Sequence, residues 1–111
     1  MTLAIAVVAG SGLDLVGVLD TVERELSFAE GCPRAQTAVP GHAGRFVIGR
    51  CGETHVIVQC GRLHFYEGLT YEVVTSTVDT LRALGAGSVI FTNAAGGLEP
   101  GMRPGHLMAA S

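Results

Sequence analysis

The sequence predicts an α/β protein, a mixed, mostly parallel sheet flanked by helices. Three observations carry this. Leu3–Ala9 is an apolar run of the kind covered on both faces of a sheet, and Ser88–Asn93 is another apolar strand. Tyr71–Leu84 carries a helical stripe of apolar residues. Polar or glycine-rich stretches follow Ala9, Cys60 and Thr92, where strands end. In open α/β sheets ligands sit beyond the carboxyl ends of the strands, so these three loops are also the first functional signal.

Leu3–Ala9 runs into Gly10-Ser11-Gly12, a turn-forming sequence. Leu13–Leu26 shows loose helical spacing through Leu15, Val18, Leu19, Val22 and Leu26, with acids mostly between. Residues 31–44 contain Pro33, Pro40 and several glycines and read as a loop. Arg45–Arg50 and Thr54–Cys60 read as strands joined by a hairpin-like Cys51-Gly52-Glu53. In Tyr71–Leu84 the stripe consists of 71, 74, 78, 81 and 84. Val and Thr give this segment modest helix propensity, so packing must hold it, and Gly85 stops it. A short last strand is expected near His106.

The chain of 111 residues suits one domain, 1–111, burying roughly two-thirds of its unfolded surface. With 48% hydrophobic and 15% charged residues it is globular rather than disordered. A net charge of −3 argues against a nucleic-acid binder, which needs a basic face. No apolar run approaches the roughly 18 residues of a membrane span. The apolar start lacks a basic n-region, the first arginine being Arg24, and reads as a buried strand rather than a secretory leader. Cys32, Cys51 and Cys60 are odd in number and form no CxxC pair, which points to reduced thiols, a cytoplasmic location and no zinc ligand set.

The densest chemistry is "QCGRLHFYEG", residues 59–68, with Arg62, His64, Tyr66 and Glu67 between Gly61 and Gly68. In an extended segment Arg62, His64 and Tyr66 share a face. A guanidinium fork beside an imidazole suits an anion, and the tyrosine ring suits a flat or sugar-like ligand. The same residues also fit an exposed arginine, an incidental histidine and a packed ring. Gly10-Ser11-Gly12 offers amides and a hydroxyl suited to phosphate, or an ordinary tight turn. His42 in "PGHAG" is either placed for a ligand or a turn histidine with a solvent tip. His55 and His106 read as structural or exposed. In "TNAAGG" the small Ala94 and Ala95 leave the backbone open to a ligand, or form a tight turn.

Taken together, "GSGL" (10–13), "VPGHAGRFVIG" (39–49), "GRLHFYEG" (61–68), "LGAGSVIFTNAAGGLEP" (84–100) and "PGHLM" (104–108) resemble the trimeric, low-molecular-mass purine nucleoside phosphorylases. The resemblance spans nearly the whole chain. It implies an incomplete phosphorylase/hydrolase-like fold, the N-terminal portion of a longer domain. It implies phosphorolysis of the N-glycosidic bond of purine nucleosides to a free purine base and ribose 1-phosphate. It assigns Ser11, His42, Arg62, His64 and the backbone at Ala94 to phosphate, and Tyr66 to the nucleoside. The substrates are then a purine nucleoside and inorganic phosphate, with no metal and no cofactor, in a homotrimer when the chain is full-length. Asp14, Cys60 and His106 stand where the family usually has Gly, Gln and Asp. The family's purine-reading residues lie beyond position 111. A non-catalytic phosphate- or nucleoside-binding fragment is the alternative function.

Overall fold

The computed structural model describes residues 3–10, 13–32 and 44–110. Five strands form one mixed sheet: β1 (Ala4–Ala9), β2 (Thr21–Ser27), β3 (Arg45–Cys51), β4 (Thr54–Cys60) and β5 (Ala86–Phe91). Their order across the sheet is β2-β3-β4-β1-β5. β1 pairs in parallel with β4 on one side and β5 on the other, while β2–β3 and β3–β4 are antiparallel. The expected mixed α/β sheet is thus present, divided into a parallel half and an antiparallel half.

The division follows from chain lengths. β3 and β4 are joined by the two-residue turn Gly52-Glu53, which forces them antiparallel. The turn is tied down where the Asp20 carboxylate accepts the Gly52 N–H. The chain from β4 to β5 passes through a helix, the crossover that parallel strands require. β1 is apolar throughout, and Ala4, Ala6 and Val8 point into the core with Phe46, Ile57 and Leu81.

The helix expected over Leu13–Leu26 is replaced by a single 3₁₀ turn, Val16–Val18, and by β2. Gly17 weakens a helix there, while Thr21 and Val22 are β-branched and suit a strand. Only Leu26 of the supposed stripe is buried. At one edge of the sheet, β2 exposes Glu23, Arg24 and Glu25, charges that discourage pairing with another chain. Glu25 and Glu23 also meet Arg45 and Arg50 on β3 at 2.6 and 3.2 Å. These pairs are half exposed, so each contributes less than about 1 kcal/mol. β2 ends in a capping box: Ser27 Oγ accepts the Glu30 N–H, and Glu30 accepts the Ser27 N–H, starting the one-turn helix α1 (Phe28–Gly31). The Ser-x-x-Glu spacing was present in the sequence as the signal for that start.

α2 (Tyr71–Ala83) lies where the periodicity places it, with the Thr70 side chain accepting the Val73 N–H at its start and Gly85 beyond its end at φ +107°. Its buried face is rotated from the expected one. Tyr71 and Val78 are exposed, whereas Ser76, Thr77 and Leu81 are buried. The Ser76 and Thr80 hydroxyls have partners on this face. Ser76 Oγ donates to Val73 O at 2.6 Å and accepts from Cys32 Sγ at 3.0 Å. Thr80 Oγ1 donates to Gly31 O at 3.0 Å, fastening α2 to the end of α1. β5 begins at Ala86, two residues before the expected start, and the strand expected near His106 is absent, since residues 92–110 hold only turns and irregular backbone. Among the described residues no helix is long and apolar enough to cross a membrane.

Leu81 is 2% exposed and Val78 is 44% exposed, although both sit on the sequence-derived stripe. Leu81→Ala is therefore expected to lower unfolding stability by about 2–5 kcal/mol. Val78→Ala should change it by less than about 0.5 kcal/mol. Equal shifts of the urea midpoint would contradict the rotated face.

Candidate functional site

The parallel half of the sheet fixes where the candidate residues emerge. Ala9 is in register with Cys60, and Val8 with Phe91. The carboxyl ends of β4, β1 and β5 therefore lie side by side at one edge, separated by the strand spacing of about 4.8 Å. The three loops expected to carry function leave from that edge, at Gly10, Gly61 and Thr92. The other end of the same strands holds a cleft lined by Ala4, His55, Val56, Leu84 and Gly85, away from all three loops.

The β4 loop begins with a backbone reversal at Gly61, where φ is +87°. A side chain there would be strained, and glycine adopts this conformation without penalty. Gln59, on the last turn of register before it, is 1% exposed. Its Nε2 donates to Gly61 O at 3.1 Å, bracing the reversal, and its Oε1 has no hydrogen-bond partner. Arg62 and His64 are half-buried, and the Arg62 Nε is a buried donor without a hydrogen-bond partner. Such an unpaired guanidinium N–H in a partly buried position is poised for an external acceptor.

The extended geometry expected for 62–66 holds only to His64. Phe65–Glu67 is a 3₁₀ turn, closed by Gly68 at φ +82°. The turn nevertheless brings His64 and Tyr66 together, their rings stacked with centroids 4.7 Å apart and an interplanar angle of 14°. Tyr66 remains 83% exposed.

On the neighbouring side, Gly10 follows β1 and Thr92 follows β5. A Cβ on Gly10 would lie 2.5 Å from Thr92 O and 2.8 Å from Asn93 Cα, so only glycine permits the two backbones to approach this closely. Ala94 is exposed, and Asn93 Nδ2 donates to its carbonyl at 3.2 Å. Ser11 and His42, the other two residues assigned to phosphate, lie outside the described residues. His55 and His106 are exposed, as expected.

Sequence reasoning missed Gln59 and Thr92. Gln59 was marked by being the one amide in an otherwise apolar strand core. Thr92 was hidden because threonine is an ordinary strand residue. No group of His, Cys, Asp or Glu among the described residues is arranged to hold a metal ion.

Cys60 ends β4 beside Arg45, its antiparallel partner. Burial pushes its thiol pKa up, against the opposing pull of the Arg45 charge. Cys51 is exposed and Cys32 is buried.

Comparison with known proteins adds sequence and structural relatives. The family model described as the phosphorylase superfamily matches residues 4–111. Purine nucleoside phosphorylase 1 of Geobacillus stearothermophilus is 37% identical over 109 residues, covering 96% of this chain and 39% of that protein. Purine nucleoside phosphorylase 1 of Bacillus subtilis is 41% identical over 106 residues, covering 94% and 38%. The Bos taurus purine nucleoside phosphorylase is 40% identical over 105 residues, covering 94% and 36%. A crystal structure of Schistosoma mansoni purine nucleoside phosphorylase superposes with a TM-score of 0.65 at 28% identity, covering 90% of this chain and 36% of that one. The chain thus spans less than two-fifths of the length of these relatives.

The cysteine environments predict an order of alkylation at neutral pH. Thiolate is the reactive form, so Cys51 should react first with iodoacetamide, Cys60 more slowly and Cys32 only on unfolding. Peptide mass spectrometry over a time course reads this order, and Cys60 reacting ahead of Cys51 would contradict the burial described.

Proposed function

The chain belongs to the phosphorylase superfamily, and from that premise we propose that it supplies the phosphate half of a purine nucleoside phosphorylase site. The reaction of the whole domain is phosphorolysis: a phosphate oxygen bonds to the anomeric carbon as the bond to the purine nitrogen breaks, giving the free base and ribose 1-phosphate. The observation that carries the proposal is the parallel register, which sets the Gly10, Gly61 and Thr92 loops side by side.

In this reading Ser11, His42, Arg62, His64 and the backbone at Ala94 hold phosphate, and Tyr66 lies against the ribose. The unpartnered Arg62 Nε supports the role given to Arg62. Stacking on His64 gives the Tyr66 ring a fixed platform. A phosphate held below the sugar acts twice, as nucleophile and as the anion that stabilises positive charge developing on the ribose. Positioning and electrostatics carry most of such a reaction. Inorganic phosphate is a substrate, and no metal or cofactor takes part. The proposal extends to a cytoplasmic homotrimer of the full domain without nucleic-acid or membrane partners.

The length relation favours a second reading for residues 1–111 by themselves, a phosphate- or nucleoside-binding fragment without turnover. The family resemblance puts the purine-reading residues outside this stretch. Loss of one transition-state donor can reduce rate by about a hundredfold or more.

Two measurements test these readings. Arg62→Ala should weaken phosphate binding by about 1.5–3 kcal/mol, the scale of a charged hydrogen bond. Arg82→Ala, on an exposed part of α2, should leave it unchanged; equal effects in phosphate titrations count against the site. Residues 1–111 alone should release no measurable hypoxanthine from inosine at high protein concentration. Phosphate-dependent release abolished by Arg62→Ala would instead establish a complete site within them.

A further inference from the structure

Beyond the last rung of the β1–β5 ladder, at Val8 and Phe91, the two strand ends are held by one side chain. Thr92 Oγ1 donates to Val8 O at 2.9 Å and accepts the Gly10 N–H at 2.9 Å. The Thr92 N–H also donates to Val8 O at 3.0 Å. A single hydroxyl therefore links the Val8 carbonyl near the end of β1 to the first amide beyond the strand. The contact is tight: the missing Cβ of Gly10 leaves just enough room for the Thr92 carbonyl and Asn93 Cα.

We propose that Thr92 is a positioning residue for phosphate, its hydroxyl fixing the end of β1 at Gly10 against the Asn93–Ala94 segment so that the backbone of that segment is held ready for an anion. The inference rests on the phosphate reading above. Backbone amides bind an oxyanion well only when they are already aligned, because alignment made during binding subtracts from affinity. Without the hydroxyl, the Gly10 N–H loses its acceptor and the two loop starts are joined only by backbone contact. Thr92 itself touches no reacting atom. It acts through Gly10 and Asn93.

The test uses residues 1–111, inorganic phosphate and three variants. Thr92→Val keeps the shape and removes the hydroxyl, Thr92→Ser keeps the hydroxyl, and Thr80→Val removes the half-buried hydroxyl that joins α2 to Gly31. Thr92→Val should weaken phosphate binding about threefold to tenfold, the worth of a lost neutral hydrogen bond. Thr92→Ser should restore it, and Thr80→Val should lower stability while leaving phosphate affinity unchanged. In the unaltered chain, phosphate should slow hydrogen exchange at the Gly10 amide, a readout that needs no variant to fold. If the unaltered chain binds phosphate but Thr92→Val binds equally well, or Thr80→Val loses as much, the positioning role is wrong and the site reading stands. Unchanged Gly10 exchange on phosphate binding also overturns the role. If the unaltered chain does not bind phosphate, the site reading fails and this inference fails with it.

Discussion

The two-sided pairing of β1 is the constraint on which the rest of the structure depends. Its backbone hydrogen bonds are shared between β4 and β5, both parallel to it. Parallel strands present all their carboxyl ends at the same edge, so a strand in this place brings loops from three distant parts of the sequence together. An antiparallel neighbour on either side would have sent one of those loops to the opposite edge. The small residues of β1 follow from the same position: Ala4, Ala6 and Val8 share the core with Phe46, Ile57 and Leu81, where a larger side chain would overpack it.

Around that strand, polar groups recur where an apolar protein of this size would be expected to avoid them. Gln59 is buried at the end of β4 and braces Gly61. Ser76 and Thr80 turn their hydroxyls inward to Cys32 and Gly31. Thr92 closes the end of the β1–β5 ladder. Each joins elements, or fixes a turn, at a point where regular backbone pairing stops. A buried hydroxyl with both a donor and an acceptor role filled avoids the desolvation cost of an unpaired one. These contacts fix the directions in which the loops leave the sheet.

β1 and β4 were legible in the sequence because burial leaves a direct mark on composition, whereas β5 was legible from its apolar residues although most of them are exposed. Leu3–Ala9 and Val56–Val58 within β4 are continuous apolar runs, and glycines follow β1 and β4 at the edge of the candidate site. The Arg62–Tyr66 cluster was equally visible, since charged and aromatic residues are sparse elsewhere. β2 was not legible: an edge strand is exposed on most of its length, so its alternation is weak and its leucines and valines mimic a helical spacing. The buried face of α2 was misplaced for a related reason. Hydropathy counts Ser76 and Thr77 as polar, but their side chains can bond within the helix or to its neighbours, and the core accepts them. Thr92 and Gln59 acquire their roles only through partners far away in sequence, at Gly10 and Val8 for Thr92, or through a turn whose geometry a linear reading does not specify.

The sheet order also has a consequence for how the chain reaches its native state. β2, β3 and β4 form a meander whose neighbours are adjacent in sequence, and the β3–β4 hairpin closes only the Gly52-Glu53 turn. β1 comes first in the chain, yet its partners are β4 and β5. Its ladder with β4 encloses everything from Gly10 to Glu53, and its ladder with β5 encloses more. The entropy of closing those large loops falls on the contacts that align the carboxyl edge of the parallel strands, whereas the antiparallel half forms from local pairings. The half of the sheet that gathers the candidate loops is thus the half whose topology makes it the more costly to assemble.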